Sequence, residues 1–341
     1  MNNSKIDYEN VEYLTDDFEF APAHTNNNRI DMEYEGYWKG VLKRFLTRKR
    51  TIFALITIIL ISLLAIVGPI ISGYSYSEQN IELQNMPPRI PGIEKIKIFD
   101  GTENNVNKYK TNSDYENEYY WFGSDNLGRD IWTRVWTGTR ISLYIVIIAV
   151  FMDLCIGMGY GLISGYFGGK LDFAMQRFVE IINSIPTLVV ITLLLVVLKP
   201  GLSTITLALM ITGWIGMSRV ARAQVIKNKD LEYVLAVKTL GVGRFSIIFR
   251  EILPNVIGQL ITNTIFSISD AIFTEAFLSF VGLGVPAPMA SLGALISDGY
   301  NSFLTHPYQI VSPVLILVLL MLSFNILADN LRDALEPRIT V

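Results

Sequence analysis

Several long stretches of this chain lose the mixture of apolar and polar positions that a water-soluble fold needs and become almost unbroken apolar runs. Residues 51–73, 200–218 and 310–328 carry no charged side chain, 141–166 is interrupted only by Asp153, and 252–280 only by Asp270 and Glu275. A further uncharged run covers 181–198. At about 1.5 Å per residue, runs of this length cross a hydrocarbon core about 30 Å thick as helices. The pattern predicts an all-α polytopic membrane protein with six spanning helices. The bulk composition agrees, with 51% hydrophobic and 17% charged residues. So many spanning-length segments could not all be hidden in one soluble core. The first run starts too late and is too long to be a secretory signal.

Charge is segregated along the chain although the formal net charge is only −3. The first residues are acidic, with Asp7, Glu12, Asp16, Asp17 and Glu35 set against Lys5 and Arg29. This tail reads as solvated sequence. Lys39, Lys43, Arg44, Arg48, Lys49 and Arg50 then precede the first span, which places the N-terminus in the cytoplasm. With six spans the loops alternate: 74–138 outside, about 165–175 inside, 199–203 outside, 219–251 inside, 283–309 outside, and the C-terminus inside. The cations follow this order. Arg219, Arg222, Lys227, Lys229, Lys238, Arg244 and Arg250 fall in one inside loop, Lys170, Arg177, Arg332 and Arg338 fall inside as well, and 283–309 has none. The expected organisation is therefore a cytoplasmic tail and basic segment over 1–50, a span over 51–73, an extracellular loop or small lobe over 74–138, a helical core over 139–331 containing a cytoplasmic loop at 219–255, and a cytoplasmic end at 332–341.

Within the outer segment, 86–92 reads as extended or turn-like, 93–99 as a short strand, and 104–117 as polar loop. Gly157, Gly161 and Gly165 recur every fourth residue and form a smooth ridge for close helix packing. Asp153, Asp270 and Glu275 are costly in lipid and must pair within the protein or line a pathway. Ser279 stands one turn beyond Glu275 on the same face. The single Cys155 excludes an internal disulfide and reads as small core packing. His24 and His306 are far apart in sequence, which argues against a histidine metal site or triad. Residues 165–171 fail the spacing of a phosphate loop, with Ser164 and Leu171 in the places of a glycine and a hydroxyl. No hydrolytic machinery is visible.

The inside loop carries more information. A helix capped by Asp230 is predicted over 232–240, Gly241 and Gly243 interrupt it, and a second helix from Arg244 places Phe245, Ile248, Phe249 and Ile252 on one face before Pro254 opens the next span. Such an apolar face with basic flanks suits either a groove in a partner protein or the membrane surface. Leu235, Ala236 and Val237, followed by Gly241 and then by Ile252, Leu253 and Pro254, resemble the E-A-A-x-x-x-G loop of bacterial ABC-importer permeases. Leu235 stands at that pattern's glutamate and Val237 at its second alanine. Gly123, Ser124, Asp125, Gly128, Arg129 and Asp130, with Arg140 downstream, resemble the F-G-T-D-x-x-G-R-D signature of oligopeptide and dipeptide permeases, Ser124 replacing threonine. Glu232, Tyr233 and 275–284 also look like that subfamily, and the resemblance extends over about 40–337. By itself the signature reads as an interfacial anchor or gate elbow, or as a substrate contact: Ser124 or Asp125 can cap a short helix, Gly128 permits a turn, and Trp121, Trp132 and Trp136 suit headgroup level.

The resemblance implies the C-type permease subunit of a peptide importer, with the type I ABC-importer transmembrane fold and a cytoplasmic coupling helix. It implies a second homologous permease, two ATPase subunits that hydrolyse the ATP, an extracellular lipid-anchored peptide-binding protein and a peptide substrate. The setting is a lipid bilayer, the bacterial cell membrane. No catalytic residue, cofactor, metal or nucleic acid is expected. Coupling would fall to Glu232, Tyr233, Leu235, Ala236, Val237, Gly241, Phe245 and Pro254. Permeases for nickel or another small solute share the resemblance, so cargo stays open between these classes.

Overall fold

The computed structural model describes residues 36–96, 99–103, 106–110 and 115–335. The acidic tail, Arg338 and parts of the 104–117 loop lie outside the described residues. The chain divides into two units between Gly40 and Val41. Of the first, residues 36–40 are described; they carry the opening turn of α1 (Tyr37–Leu46), where the Tyr37 and Trp38 rings meet edge to face.

The second unit is helical. Helix α2 (Lys49–Ser72) ends at Gly73, whose left-handed backbone (φ 76°) stops it. A lobe of irregular chain follows, built on Leu83, Met86, Tyr109 and Tyr120. Its hairpin pairs β1 (Thr102–Glu103) with β2 (Val106–Asn107). The strand expected at 93–99 does not form: Ile93–Ile96 is a tight 3-10 turn. Glu94 there is held by Arg89, Nε to Oε2 2.7 Å, and the turn follows the break at Pro91–Gly92. Within the segment expected to lie outside, Asp130 caps a helix that starts at Ile131.

That helix, α3 (Ile131–Met152), runs through a wide π-type turn at Asp153–Gly157 into α4 (Met158–Phe167). Beyond Gly168 come α5 (Gly169–Asn183) and α6 (Thr187–Leu198), bent by 73° to one another. The 181–198 run is therefore the second arm of a bent pair. Pro186 stands at the bend, where it cannot continue a helix through its missing N–H. Helix α7 (Leu202–Asn228) packs along α4, and the glycine ridge is the reason: a Cβ on Gly157 would stand 2.5 Å from the Trp214 carbonyl oxygen, and one on Gly165 2.8 Å from that of Arg222. Cys155, in the wide turn, is exposed, which corrects the expected core packing.

The remaining elements are α8 (Glu232–Thr239), a single turn α9 (Arg244–Ser246) that widens at Ile247–Ile252 into α10 (Leu253–Leu278), then α11 (Leu292–Asn301) and α12 (Tyr308–Leu335). Among the described residues five helices are long and apolar enough to cross a membrane, and six spans result if the bent pair is one. Large apolar side chains such as Ile59, Ile66, Val196 and Leu315 point outward over these helices. In water that would be a liability, whereas in lipid it is the expected arrangement, since helices satisfy their own backbone groups there.

Candidate functional site

The expected functional residues collect at the two ends of the bundle and at three acids between them. At the end carrying the lobe, the signature segment folds back on itself. The N–H groups of Leu127 and Arg129 donate to Asp125 Oδ1 (2.9 and 3.0 Å), and Arg129 Nε donates to Asp125 Oδ2 (2.6 Å). Gly128 closes this turn with φ 69°, and any side chain there would strike the Asn80 carbonyl. Ser124 does not cap a helix: its Oγ accepts from Met86 N–H (2.8 Å) and donates to the Leu83 carbonyl (2.5 Å), tying the lobe to the elbow. Asp125 likewise holds a turn. The helix cap is Asp130, whose Oδ2 accepts from the N–H and hydroxyl of Thr133 (2.9 and 2.5 Å).

Sequence reasoning left out three members of this elbow. Arg134, only 4% exposed, has Nε 3.5 Å from Asp125 Oδ2 and Nη2 3.5 Å from Asp298 Oδ2. Asp298 lies on α11 and also faces Arg129 at 3.7 Å, while Gln309 at the start of α12 donates to Asn85 and to the Ser124 carbonyl. The signal for Arg134 was its place one turn after Asp130; Asp298 and Gln309 are brought in by tertiary structure alone. Arg140 does not join them and is exposed further along α3. Burial pushes the Asp130 carboxyl up to about 6 against the hydrogen bonds from Thr133, and burial raises Asp298 despite Arg134 and Arg129. On the hairpin, burial works to raise Glu103, but Lys108 and His306 outweigh it and hold that carboxyl below its usual range. His306 Nδ1 is 3.0 Å from Glu103 Oε1.

The three acids in the spans differ in kind. Glu275 is fully buried and paired: the hydroxyls of Ser142 and Ser279 donate to it at 2.7 and 2.8 Å, and Ser142 Oγ also accepts from Leu292 N–H at 3.2 Å. It pins α3, α10 and α11 together. Asp153 is buried beside Gly213 of α7, with Oδ1 left without a hydrogen bond. Asp270 is exposed on α10 and makes no side-chain hydrogen bond or ion pair to a described residue.

At the opposite end, α8 begins at Glu232 with Leu231 in the cap position, so Asp230 makes no capping bond, contrary to expectation. Val234 is buried with Ile247, Ile248, Ile252, Leu162, Ala221 and Val225 in one apolar cluster, and Tyr233 and Val237 pack against it. The face expected from Phe245, Ile248, Phe249 and Ile252 is divided. The wide turn at Ile247–Ile252 rotates Ile247, Ile248 and Ile252 inward and leaves Phe245 and Phe249 outside. Leu235, Ala236, Gly241 and Glu232 are exposed as well, and Leu240 is 81% exposed. Pro254 stands in the first turn of α10, directly after the wide turn at Ile247–Ile252, where the regular helix ladder is already interrupted. Among the described residues no group of three or more His, Cys, Asp or Glu could hold a metal ion.

Known proteins share this plan. The profile of the binding-protein-dependent transport system inner membrane component matches residues 157–341, and that of the N-terminal transmembrane domain of oligopeptide transport permease C matches 36–88. The chain is 39% identical over 323 residues to the oligopeptide transport system permease protein OppC of Bacillus subtilis (strain 168), covering 94% of this chain and 97% of that one. It is 36% identical over 339 residues to the dipeptide transport system permease protein DppC of Lactococcus lactis subsp. cremoris (strain MG1363), covering 96% and 99%. A chain of the inward-facing MetNI methionine ABC transporter superposes with a TM-score of 0.50 at 18% identity, covering 59% of this chain and 96% of that one, which shows a shared fold. The chain belongs to the family of binding-protein-dependent transport system inner membrane components, in the branch that begins with the oligopeptide transport permease C transmembrane domain.

Proposed function

We propose that this chain is the permease subunit of an ATP-driven, binding-protein-dependent importer of oligopeptides or dipeptides in a bacterial cell membrane, with both termini cytoplasmic. The observation that carries the coupling role is the exposed apolar surface of α8 and its neighbours, Leu235, Leu240, Phe245 and Phe249, joined through Val234 to the cluster that binds α4, α7 and α10. A helix whose outer face wants a groove and whose inner face is packed into three spanning helices transmits a push on one to the others. Two ATPase subunits would supply that push, one of them acting on this loop. A second, related permease would complete the pore, and a lipid-anchored extracellular binding protein would deliver the peptide to the elbow end. Asp270 supports a pore shared with that second chain, since an exposed carboxylate in an apolar helix needs water or protein over it. Glu275 is bound up in structural pairing, and Asp153 is buried away from any open face.

The test is an Ala236→Pro variant in the assembled importer, reconstituted into vesicles with all partners. It should insert and assemble but lose ATP-driven uptake of labelled peptide and the stimulation of ATPase activity by loaded binding protein, because proline breaks the short helix. Normal uptake and stimulation would remove the coupling assignment. Peptide set against nickel ion, each offered to the partner binding protein, decides cargo separately.

A further inference from the structure

A cavity of about 410 Å³ opens beside α8, lined by Tyr166, Phe167, Lys229, Asp230, Val234, Lys238, Val242, Arg244 and Ile247. Its lining is amphiphilic. Phe167, Val234, Val242 and Ile247 supply an apolar wall, while Lys229, Lys238 and Arg244 bring three cations against the single acid Asp230. None of the three cations forms an ion pair with a carboxylate among the described residues. Lys229 Nζ donates only to the Gly165 carbonyl, at 3.2 Å, and the Arg244 guanidinium stands 5.8 Å over the Phe167 ring.

The position of the cavity is as informative as its lining. Tyr166 and Phe167 are the last residues of the spanning helix that begins at Ile131, and Lys229 and Asp230 directly follow the span that ends at Asn228. Measured from Arg140 and Lys199 at the other ends of the two runs, Tyr166 and Lys229 lie about 40–45 Å along their helices, the thickness of a bilayer with its headgroups, which sets the cavity at headgroup level, where an aromatic pair with one hydroxyl is also at home. A phosphate group entering it would meet three cations, and the first carbons below a headgroup would meet the apolar wall. Basic pockets between spanning helices at this depth fit anionic headgroups, each basic residue adding to the attraction. A zwitterionic headgroup brings its own cation and gains less.

We propose that this cavity is a binding site for the phosphate headgroup of an anionic phospholipid, seated between the ends of α4 and α7 and the base of α8. The occupant then props the loop from the membrane side while the exposed apolar face of α8 stays free for the ATPase. The site depends on the membrane placement of the spans and on no property of the cargo, so it stands or falls apart from the proposed transport function.

Native mass spectrometry of the full chain, purified in mild detergent and offered phosphatidylglycerol, phosphatidylcholine or inorganic phosphate, tests it. Phosphatidylglycerol should be retained about tenfold or more over phosphatidylcholine. That preference should vanish in the Lys229→Gln, Lys238→Gln, Arg244→Gln triple variant and persist in Lys229→Arg, Lys238→Arg, Arg244→Lys, which keeps the charges and guards against a folding defect. Arg177→Gln, at an exposed basic residue of α5 paired with Glu180, should leave it unchanged. Equal retention of the two lipids, or a triple variant that keeps the preference, overturns the proposal. Retention of inorganic phosphate with no lipid preference assigns the cavity to a free anion and overturns the lipid. Loss of the bound lipid when the ATPase subunits are present would give the cavity to an acidic group of the ATPase instead.

Discussion

The two ends of the helical bundle solve opposite problems. At the lobe end, most charged and polar groups are buried and partnered with one another: Asp125 with Arg129 and Arg134, and Ser124 and Gln309 with backbone carbonyls, while the half-exposed Asp298 faces both arginines. At the α8 end, apolar side chains are exposed, and Lys229, Lys238 and Arg244 form no ion pair with a carboxylate among the described residues, although Arg222 nearby is paired with Asp172. A buried polar network fixes one geometry, because any displacement leaves desolvated groups unpaired. An exposed apolar face fixes none until something covers it. The lobe end is thus largely satisfied within the chain, with Asp130 Oδ1 and two nitrogens of Arg134 left without a hydrogen bond, and the α8 end is built to be completed by another chain.

The sharpest break of this contrast is Asp125→Ala. It leaves Arg129 and Arg134 buried without their shared carboxylate and removes the acceptor of two backbone N–H groups, a loss of about 3–5 kcal/mol. Thermal unfolding of the purified chain in detergent should show it as a lowered midpoint. Asp125→Asn, which keeps an acceptor for the turn but not the charge, should fall between the variant and the parent. A midpoint unchanged in both would mean the elbow is not what holds this end.

Asp130 gives the next effect, through pH. Its carboxyl is raised from 3.8 to about 6, so the folded chain holds its proton more tightly than the unfolded one. Its contribution is therefore full below about pH 4, falls as pH rises through 6, and is constant above, amounting to ~3 kcal/mol at most over that window. Buried Oδ1, which has no hydrogen-bond partner, is free to carry the proton. Unfolding midpoints taken from pH 4 to 7 should decline for the parent and decline less steeply for Asp130→Asn, which stays neutral and keeps an oxygen for Thr133, while the raised Asp298 carboxyl remains in both. A parent profile rising over that range would contradict the burial argument.

How far the sequence revealed these ends follows from the range of the forces involved. The spans were legible because lipid demands uninterrupted apolar length, a purely local property. The Gly157, Gly161 and Gly165 ridge was legible for the same reason, its spacing being the helix period. Glu275 and Ser279 were legible as neighbours, but Ser142 and Leu292 were not, since they come from other helices. Asp298 and Gln309 were hidden likewise. At the other end the expected Phe245, Ile248, Phe249 and Ile252 face assumed a regular helix, and the wide turn at Ile247–Ile252 undid it. Extra residues in a turn follow from packing against α4 and α7, which no local pattern carries.

The smallest expected change in stability is also the one that separates the two ends most cleanly. Leu235 is 43% exposed and adds nothing to the buried cluster through which Val234 anchors α8. Leu235→Ser should move the unfolding midpoint of the isolated chain by no more than the equivalent of about 0.5 kcal/mol, as for an ordinary surface substitution. Val234→Ser, one residue away but fully buried, should cost about 1–3 kcal/mol by placing a hydroxyl in an apolar cluster. In the assembled importer the order should reverse for assembly, with Leu235→Ser weakening ATPase binding in co-purification although the chain itself is intact. An equal loss of stability in both variants would mean that α8 is packed on all sides within the chain, and the face attributed to a partner would not exist.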